Sequence, residues 1–170
     1  MHKQKNIFLI GLMGTGKTTV GRQLSRKLKM DFYDSDSVIE ERTGADIPLI
    51  FEKEGETGFR KREAAIIDEL TQKKNIILAT GGGAVLNADN RNHLINRGTV
   101  FYLKSNLKTL IERTSKDKNR PLLHTNEPAE VILQHLLDQR GPLYEETADY
   151  IIETANNSIH NVIQAIIKSL

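Results

Sequence analysis

The chain contains no cysteine and no tryptophan, and aromatic residues make up only 5% of its 170 positions. Without cysteine, neither a disulfide framework nor a thiolate-bound metal can form. An excess of one charge is also missing, because 24 Lys and Arg face 22 Asp and Glu, which gives a net charge of +2 at pH 7. Bulk charge therefore gives no reason to expect binding to nucleic acid or to an anionic membrane. Any bound anion must be held by individually placed residues.

Long hydrophobic runs are absent as well. Lys3 and Lys5 before the apolar stretch 7–13 resemble the start of a secretory signal, but Lys17 interrupts the stretch and no small-residue cleavage site follows. No other run reaches the length of a membrane span. With 38% hydrophobic residues, 170 positions are enough for one well-buried core and few for two. We therefore expect a single domain over residues 1–170, in a monomeric cytoplasmic protein without nucleic-acid or membrane partners.

The stretch from Gly11 to Thr18 reads G-x-x-x-x-G-K-T, with the apolar run 7–10 before it and a helical pattern after it. This strand, loop and helix context is typical of a phosphate-binding loop. Its glycines let backbone N–H groups close around phosphates, Lys17 supplies positive charge, and the Thr18 hydroxyl can ligate Mg²⁺. The alternative is a glycine-rich turn before a helix that begins with Lys-Thr. The predicted nucleotide-binding residues here are Gly14, Thr15, Gly16, Lys17, Thr18 and Thr19.

Apolar runs alternate with helical patterns along the rest of the chain. The patterns predict strands at 7–10, 32–34, 75–79, 99–103 and 150–153, and helices at 18–29, 37–41, 56–74, 90–96, 107–115, 128–140 and 159–170. The interval containing Gly44, Gly55 and Gly58 is interpreted as small helices that move. Gly141 and Pro142 are predicted to end the helix that Pro128 begins. The alternation indicates an α/β protein, with a parallel sheet covered by helices on both faces.

Two carboxylates follow the second predicted strand. Asp34 falls at the carboxyl end of that strand, where open parallel sheets bind ligands, and a carboxylate there can hold Mg²⁺ directly or through water. Asp36 lies two residues further on and can accept a proton from an attacking hydroxyl. The alternative for both residues is helix capping, since Asp-Ser-Asp-Ser is favourable capping chemistry.

Two arginines are candidates for gripping an anionic substrate. Arg60 and Glu63 lie three positions apart on one predicted helix, so the carboxylate can hold the guanidinium in one pose. A solvated surface pair is the alternative. Arg140 falls on the apolar stripe of its helix, and a buried guanidinium needs an anionic partner. A structural ion pair or the carboxyl end of the helix would also satisfy it.

Two further segments are candidates for contact with the reactants. The stretch of about 115–125 is charged, bounded by Pro121 and without apolar period, which is typical of an exposed lid. Arg120 within it could neutralise charge on a transferring phosphoryl group, or it could be an ordinary loop cation. Gly81, Gly82 and Gly83 follow a buried strand and would let the backbone pass close to a ligand, where a plain turn would rarely need three glycines.

Taken together, these motifs resemble the shikimate kinase family, and the resemblance runs nearly from end to end. The matching stretches are 11–18 (GLMGTGKT), 34–36 (DSD), 55–63 (GETGFRKRE), 81–83 (GGG), 120–123 (RPLL) and 140–144 (RGPLY). The resemblance implies a P-loop fold of the nucleoside-monophosphate-kinase type with a mobile lid. It also implies a three-layer α/β/α sandwich, a five-stranded parallel sheet of order 2-3-1-4-5, and transfer of the γ-phosphate of ATP to the 3-hydroxyl of shikimate.

The resemblance also implies roles for individual residues. Lys17 and Thr18 would serve ATP and a single Mg²⁺, which Asp34 would support, while Asp36 would bind the shikimate hydroxyl and is the candidate base. The residues that would bind shikimate are Asp36, Arg60, Gly81, Gly82, Gly83 and Arg140. Arg120 would approach with the lid, and Arg113 and Asn156 would face the adenine. The stretch 153–157 departs from the Asp-Thr ending of many members.

Three alternatives share part of this pattern. A kinase acting on another small polyol such as gluconate would have the same loop and lid but not the set of Arg60, Glu63, Arg140 and three glycines. A nucleoside monophosphate kinase needs no carboxylate base, because its acceptor is already ionised. A nucleotide-dependent switch or binding module is the alternative from another class, but the chain lacks the Asn-Lys-x-Asp motif that reads guanine.

Overall fold

The computed structural model describes residues 5–115 and 127–170. Strands and helices alternate through both ranges. In chain order the elements are β1 (Ile7–Ile10), α1 (Lys17–Leu28), β2 (Asp31–Asp34), α2 (Ser35–Thr43), α3 (Ile47–Thr71), β3 (Ile76–Ala79), a 3₁₀ turn (Ala84–Leu86), α4 (Ala88–Arg97), β4 (Thr99–Lys104), α5 (Leu107–Thr114), α6 (Ala129–Thr147), β5 (Tyr150–Glu153) and α7 (Ile159–Ser169).

The strands form one five-stranded sheet in the order β2-β3-β1-β4-β5. Every neighbouring pair is parallel, so the predicted topology is confirmed. β1 and β3 are buried at every position because helices cover both faces of the sheet, which explains their continuous apolar sequences. β5 lies at the edge, and three of its four residues are exposed.

Successive residues of β1 point to opposite faces of the sheet and enter two separate apolar cores. Ile7 and Leu9 pack with apolar residues of α1 and α7. Phe8 and Ile10 pack with those of α2 through α6. The three-layer α/β/α arrangement expected from the alternating pattern is therefore confirmed.

The interval interpreted as small helices is helical on both sides of a break at Gly55. α3 continues from Ile47 to Thr71 and is interrupted only at Gly55, whose φ of 72° and ψ of 178° are not helical. A left-handed φ of this size favours glycine, which has no β-carbon to clash. On either side of the interruption, Arg62 and Glu54 form a two-pronged ion pair at 2.6 and 2.8 Å. The sequence therefore predicted the helix from residue 56 correctly, and the structure joins it across this kink to another helical segment that begins at Ile47.

The prediction that Gly141 and Pro142 end their helix is wrong, because α6 continues to Thr147. Proline normally forces the residue before it out of the helical region by a clash with that residue's β-carbon. Gly141 has no β-carbon, so the helical conformation survives at this step. Proline also leaves one carbonyl of the preceding turn without an intrahelical donor. The extra turn that follows carries Tyr144, which is fully buried.

Arg120 and the lid segment after Ser115 lie outside the described residues, so their predicted positions stay predictions. Within residues 5–115 and 127–170, none of the helices is both long and apolar enough to cross a membrane.

Candidate active site

The phosphate-binding loop connects β1 to α1 and has the compact form that its glycines predict. Gly14 and Gly16 adopt φ values of 84° and 86°, in the left-handed region. Gly11 is even more constrained, because a β-carbon there would lie 2.6 Å from the carbonyl oxygen of Leu103. The loop therefore presents its backbone to the amino end of α1, where N–H groups and the helix dipole favour an anion.

Side chains of the loop fix its shape from within. The ammonium group of Lys17 donates to the carbonyl oxygens of Gly11 and Leu12 at 2.6 and 2.8 Å. The buried hydroxyl of Thr15 donates to the same Leu12 carbonyl at 2.9 Å. Lys17 also lines the cavity beside the loop, so its charge lies where an anion would bind.

Thr18 and Asp34 meet directly. The Thr18 hydroxyl donates to Oδ2 of Asp34 at 2.6 Å, which joins the first turn of α1 to the end of β2. The other carboxylate oxygen, Oδ1, accepts from the backbone N–H of Ser37 at 3.2 Å and so caps α2. The capping alternative is therefore correct for Asp34, but it occupies one oxygen only. A hydroxyl and a carboxylate oxygen in contact are suited to share a hard cation that also binds phosphate and water.

Asp36 lies in the first turn of α2, next to the glycine run that follows β3. A β-carbon on Gly81 would lie 2.7 Å from Oδ1 of Asp36 and 2.9 Å from Oε2 of Glu63. Gly81 is therefore packed between two carboxylates that are 27 positions apart in sequence. Its backbone N–H donates to the buried hydroxyl of Ser35 at 3.0 Å, which holds the glycine run against α2.

Arg60 and Glu63 form the predicted pair, with Nη1 of Arg60 donating to Oε1 of Glu63 at 2.8 Å. The interpretation as a solvated surface pair is wrong, because Glu63 is only 1% exposed. Burial raises the pKa of the Glu63 carboxyl, although Arg60 and Arg140 act in the opposite direction. Glu56 is a second and exposed partner of Arg60 at 3.3 Å.

Arg140 is buried, with 2% of its surface exposed, and the described residues place no carboxylate within ion-pair distance of it. The structural ion pair considered for this residue is therefore not present in the described part. Burial lowers the pKa of the guanidinium, and the nearby charge of Arg60 lowers it further. Nη1 of Arg140 would lie 3.4 Å from a β-carbon on Gly82. Together, Arg60 and Arg140 place two guanidinium groups beside the glycine run.

Buried polar atoms at this end of the site have no hydrogen-bond partner among the described residues. They include Nε of Arg60, Nε of Arg140 and Oε2 of Glu63. Buried polar groups are almost always hydrogen-bonded, so several such atoms converging on one place indicate a site built for a polar ligand.

One cavity of about 510 Å³ connects the phosphate loop to the glycine run. Of the predicted site residues, it is lined by Gly14, Gly16, Lys17, Thr18, Thr19, Asp34, Asp36, Gly81, Gly82 and Arg113. Arg113 reaches it from α5, where Nη1 donates to the carbonyl of Gly14 at 3.0 Å. Gly83 lies against the Arg60 guanidinium instead, where a β-carbon would clash at 2.2 Å. The cavity thus joins residues that the sequence separates by a hundred positions.

Asn156 does not line this cavity. It is exposed, with a left-handed φ of 61°, whereas Ile159 at the start of α7 does line the cavity. Ile159 also faces Gly16, where a β-carbon would lie 3.7 Å from its Cδ1. In the sequence, Ile159 is one of several apolar residues that recur at helical spacing in the predicted helix 159–170, and nothing in this period distinguishes it from the others. The adenine role of Asn156 stays a prediction.

Tyr144 is the other residue that sequence reasoning missed as part of the site. Its hydroxyl donates to the carbonyl oxygen of Gly82 at 2.5 Å. A signal was available, because Tyr144 follows Arg140 by four positions, but only if the helix continues through Gly141 and Pro142. The predicted helix end concealed it.

The fold and this site define a P-loop kinase of the nucleoside-monophosphate-kinase type. A phosphate-binding loop faces a carboxylate across one cavity. The guanidinium groups of Arg60 and Arg140 do not line this cavity but lie against Gly83 and Gly82 of the glycine run, and Gly82 forms part of its wall. This arrangement suits phosphoryl transfer from a nucleotide to a small hydroxylated acid.

Comparison with known proteins identifies the family. The family model for shikimate kinase matches residues 13–170. Shikimate kinase of Legionella pneumophila (strain Corby) is 57% identical over 168 residues, which cover 99% of this chain and 95% of the relative. The structure of shikimate kinase from Acinetobacter baumannii in complex with shikimate superposes with a TM-score of 0.94 at 51% identity, covering 98% of this chain and 92% of that one. The chain belongs to the shikimate kinase family.

A more distant structural similarity includes a gluconokinase, which is one of the alternatives considered from the sequence. A gluconokinase structure from Sinorhizobium meliloti matches with a TM-score of 0.58 at 14% identity, covering 96% of this chain and 90% of that one. At that identity the likeness concerns the fold alone. The residues at the acceptor end of the cavity must therefore distinguish the two activities.

The raised pKa of Glu63 leads to a prediction about stability. A carboxyl whose pKa is higher in the folded than in the unfolded protein stabilises the fold below the unfolded pKa, and this contribution is lost as the pH rises through the folded pKa. Glutamine cannot ionise. The melting temperature of Glu63→Gln minus that of the wild type should therefore increase from about pH 4.5 to about pH 8, as measured by scanning calorimetry.

Glu56→Gln is the matched control, because it removes the exposed carboxylate that pairs with the same Arg60. The pH-dependent difference should be smaller for Glu56→Gln than for Glu63→Gln. A melting-temperature difference for Glu63→Gln that stays constant or shrinks as the pH rises would contradict the burial argument.

Proposed function

We propose that this chain transfers the γ-phosphate of ATP to the 3-hydroxyl of shikimate, giving shikimate 3-phosphate and ADP on the route to chorismate and the aromatic amino acids. The observation that carries the proposal is the cavity that joins the phosphate loop to Asp36, with buried Arg140 beside its glycine wall and no carboxylate paired with Arg140 among the described residues. The phosphate loop would bind the nucleotide, and the arginines beside the glycine run would bind the carboxylate of a small substrate.

The donor half consists of the loop and the first turn of α1. Backbone N–H groups around Gly14 and Gly16 would surround the phosphates of ATP, and Lys17 would move from loop carbonyls to the outer phosphates. Arg113, which already contacts Gly14, and Asn156 are assigned to the adenine side. Arg120, outside the described residues, is assigned to the charge of the transferring group.

The residues at the Thr18–Asp34 contact fit one Mg²⁺ ion. Both present oxygen ligands, and the remaining positions would be taken by phosphate oxygens and water. Held there, the ion would supply positive charge that offsets the negative charge developing on the phosphates during transfer. The chain's own contribution is to keep Oδ2 of Asp34 aimed at Thr18 by using Oδ1 to cap α2.

Asp36 is assigned to the acceptor hydroxyl. The hydroxyl oxygen forms a bond to the γ-phosphorus, the bond from that phosphorus to the bridging oxygen of ADP breaks, and the hydroxyl proton passes to Asp36. Asp36 lies on the same cavity as Lys17, so the hydroxyl and the γ-phosphate can face each other along the cavity. Because phosphoryl transfer proceeds through a loose transition state, positioning of the hydroxyl accounts for much of this role.

The acceptor half selects a carboxylate. Arg60, held by Glu63, and Arg140 would each contribute guanidinium donors to the carboxylate of shikimate. Gly81, Gly82 and Gly83 let the ring approach closely, because any side chain there would meet Asp36, Arg140 or Arg60. A bound carboxylate would give the buried charge of Arg140 its missing partner.

The remaining assignments complete the proposal. The whole chain, residues 1–170, acts as one domain with a substrate-binding region at about 34–63 and a lid at about 115–125. It works as a monomer, since one chain provides residues for both halves of the cavity. The cytoplasm is its expected location, because its co-substrate ATP is available there.

An ADP-release assay with several acceptors tests the function directly. We expect turnover with shikimate that depends on ATP and Mg²⁺, and at least about 100-fold lower kcat/KM with gluconate or with nucleoside monophosphates, which do not match the placed donors. Turnover of another acceptor without turnover of shikimate would overturn the proposal.

Asp36→Asn tests the assignment of the acceptor hydroxyl. We expect kcat to fall by about 10²- to 10⁴-fold, while the dissociation constant of ATP stays nearly unchanged. Asp34→Asn is the matched control, because asparagine caps helices as well as aspartate does and should preserve α2. In that variant the loss should appear in the Mg²⁺ dependence of nucleotide binding. A near-normal kcat in Asp36→Asn would exclude Asp36 as the base.

Arg140→Ala tests the carboxylate grip. We expect the dissociation constant of shikimate to rise by about 30-fold or more, because the substrate carboxylate loses a buried charge-assisted partner. ATP affinity should be preserved, and Arg140→Lys should recover part of the loss because it keeps the charge. Titration calorimetry with each substrate provides the measurement. An equal loss of affinity for both substrates would indicate that Arg140 has a structural role only.

A further inference from the structure

Tyr144 is fully buried at the junction of α6 and the glycine run, and no step of the proposed reaction uses it. Its ring packs against that of Tyr102 in β4, with centroids 4.9 Å apart. Apolar packing alone would be served equally well by phenylalanine. The phenolic hydroxyl therefore requires a separate explanation, since burying a hydroxyl is unfavourable unless it is hydrogen-bonded.

That hydroxyl donates to the carbonyl oxygen of Gly82. The other two carbonyls of this run accept hydrogen bonds from residues nearby in sequence. The Gly81 carbonyl accepts from the N–H of Ala84, and the Gly83 carbonyl accepts from the N–H of Leu86. Among the described residues, the carbonyl of Gly82 accepts from Tyr144 alone. Tyr144 is thus the contact by which α6 determines the orientation of the peptide between Gly82 and Gly83.

The orientation of that peptide matters because a peptide group is planar and trans. When the Gly82 carbonyl points towards Tyr144, the N–H of Gly83 must point in the opposite direction. Gly83 itself lies against the Arg60 guanidinium, with no room for a β-carbon. The hydrogen bond from Tyr144 to the Gly82 carbonyl therefore also fixes the direction of the Gly83 N–H, a backbone donor next to the proposed carboxylate site.

The same hydroxyl interacts with Arg140, one helical turn earlier on α6, and this interaction favours the charged guanidinium. Arg140 also lies near Gly82, where a β-carbon would be 3.4 Å from its Nη1. The hydroxyl oxygen can accept from the guanidinium while its hydrogen is donated to Gly82. One hydroxyl thus connects the arginine and the glycine run, the two parts of the acceptor site that different elements supply.

We propose that Tyr144 is a positioning residue for the acceptor carboxylate, acting through Arg140 and through the peptide that joins Gly82 to Gly83. This inference rests on the proposed function. Tyr144 does not touch the reacting atoms. It sets the direction of the donors that recognise the carboxylate, so its hydroxyl contributes to the preference for an acid over an uncharged analogue.

Tyr144→Phe keeps the ring and removes only the hydroxyl. We expect KM for shikimate to rise about three- to tenfold, the value of one hydrogen bond, while kcat at saturation and KM for ATP change by less than about twofold. Tyr102→Phe is the matched control, because it removes a hydroxyl from the adjoining buried ring without touching Gly82 or Arg140. It should leave all three constants near their wild-type values.

The decisive measurement compares shikimate with shikimate carboxamide, the uncharged amide of the same ring, in each enzyme. The ratio of the two kcat/KM values is independent of the fraction of folded enzyme, so a destabilised variant still gives a valid result. Tyr144→Phe should lower this ratio about three- to tenfold, and Tyr102→Phe should leave it unchanged.

An unchanged ratio in Tyr144→Phe, or an equal decrease in Tyr102→Phe, would overturn the positioning role while leaving the proposed function intact. A parallel loss of kcat and of affinity for both substrates with an unchanged ratio would likewise reduce Tyr144 to a structural residue. If the wild-type enzyme turned over no shikimate, the proposed function would fail, and this inference with it.

Discussion

The acceptor end of this site depends on a buried positive charge that the described part of the protein does not neutralise. Two positive charges, on Arg60 and Arg140, face one negative charge on Glu63, whose carboxylate accepts its hydrogen bond from Arg60. Arg140 is therefore left buried, its pKa is lowered by that burial, and its Nε has no hydrogen-bond partner among the described residues. Holding a charge in that state is unfavourable until an anion arrives. In the proposed reaction an uncharged polyol would leave that charge uncompensated, so the same burial that costs stability would supply selectivity.

The order of the strands explains why these groups meet. In a parallel sheet the loops that follow the strands emerge at one edge. β3 lies between β2 and β1, so the glycine run after β3 must pass between Asp36, which follows β2, and the phosphate loop, which follows β1. Space there is so limited that a β-carbon on Gly81 would contact two carboxylates. The glycines are therefore a consequence of topology as much as of ligand binding.

Much of the architecture could be predicted from local patterns, because each pattern depends on neighbours in sequence. Continuous apolar runs predicted the central strands, and the sequence motif at 11–18 predicted the phosphate-binding loop. Tyr144 and the continuation of α6 could not be predicted in this way. Local rules predict that a helix ends at Gly141 and Pro142, whereas α6 continues for one more turn. That turn carries the buried Tyr144, which is hydrogen-bonded to Gly82, 62 positions away. Ile159 was missed for a similar reason, since only its contact with the loop distinguishes it.

The sequence by itself determined the phosphate loop, the alternation of strands and helices, and the presence of Asp36, Arg60 and Arg140 as candidate groups. Only the tertiary structure decided how those residues are buried and paired. It buried Glu63 and so excluded a surface ion pair, and within the described residues it left Arg140 without a carboxylate partner. The physical reason is that burial and charge pairing are set by residues far apart in the chain, which no local pattern encodes.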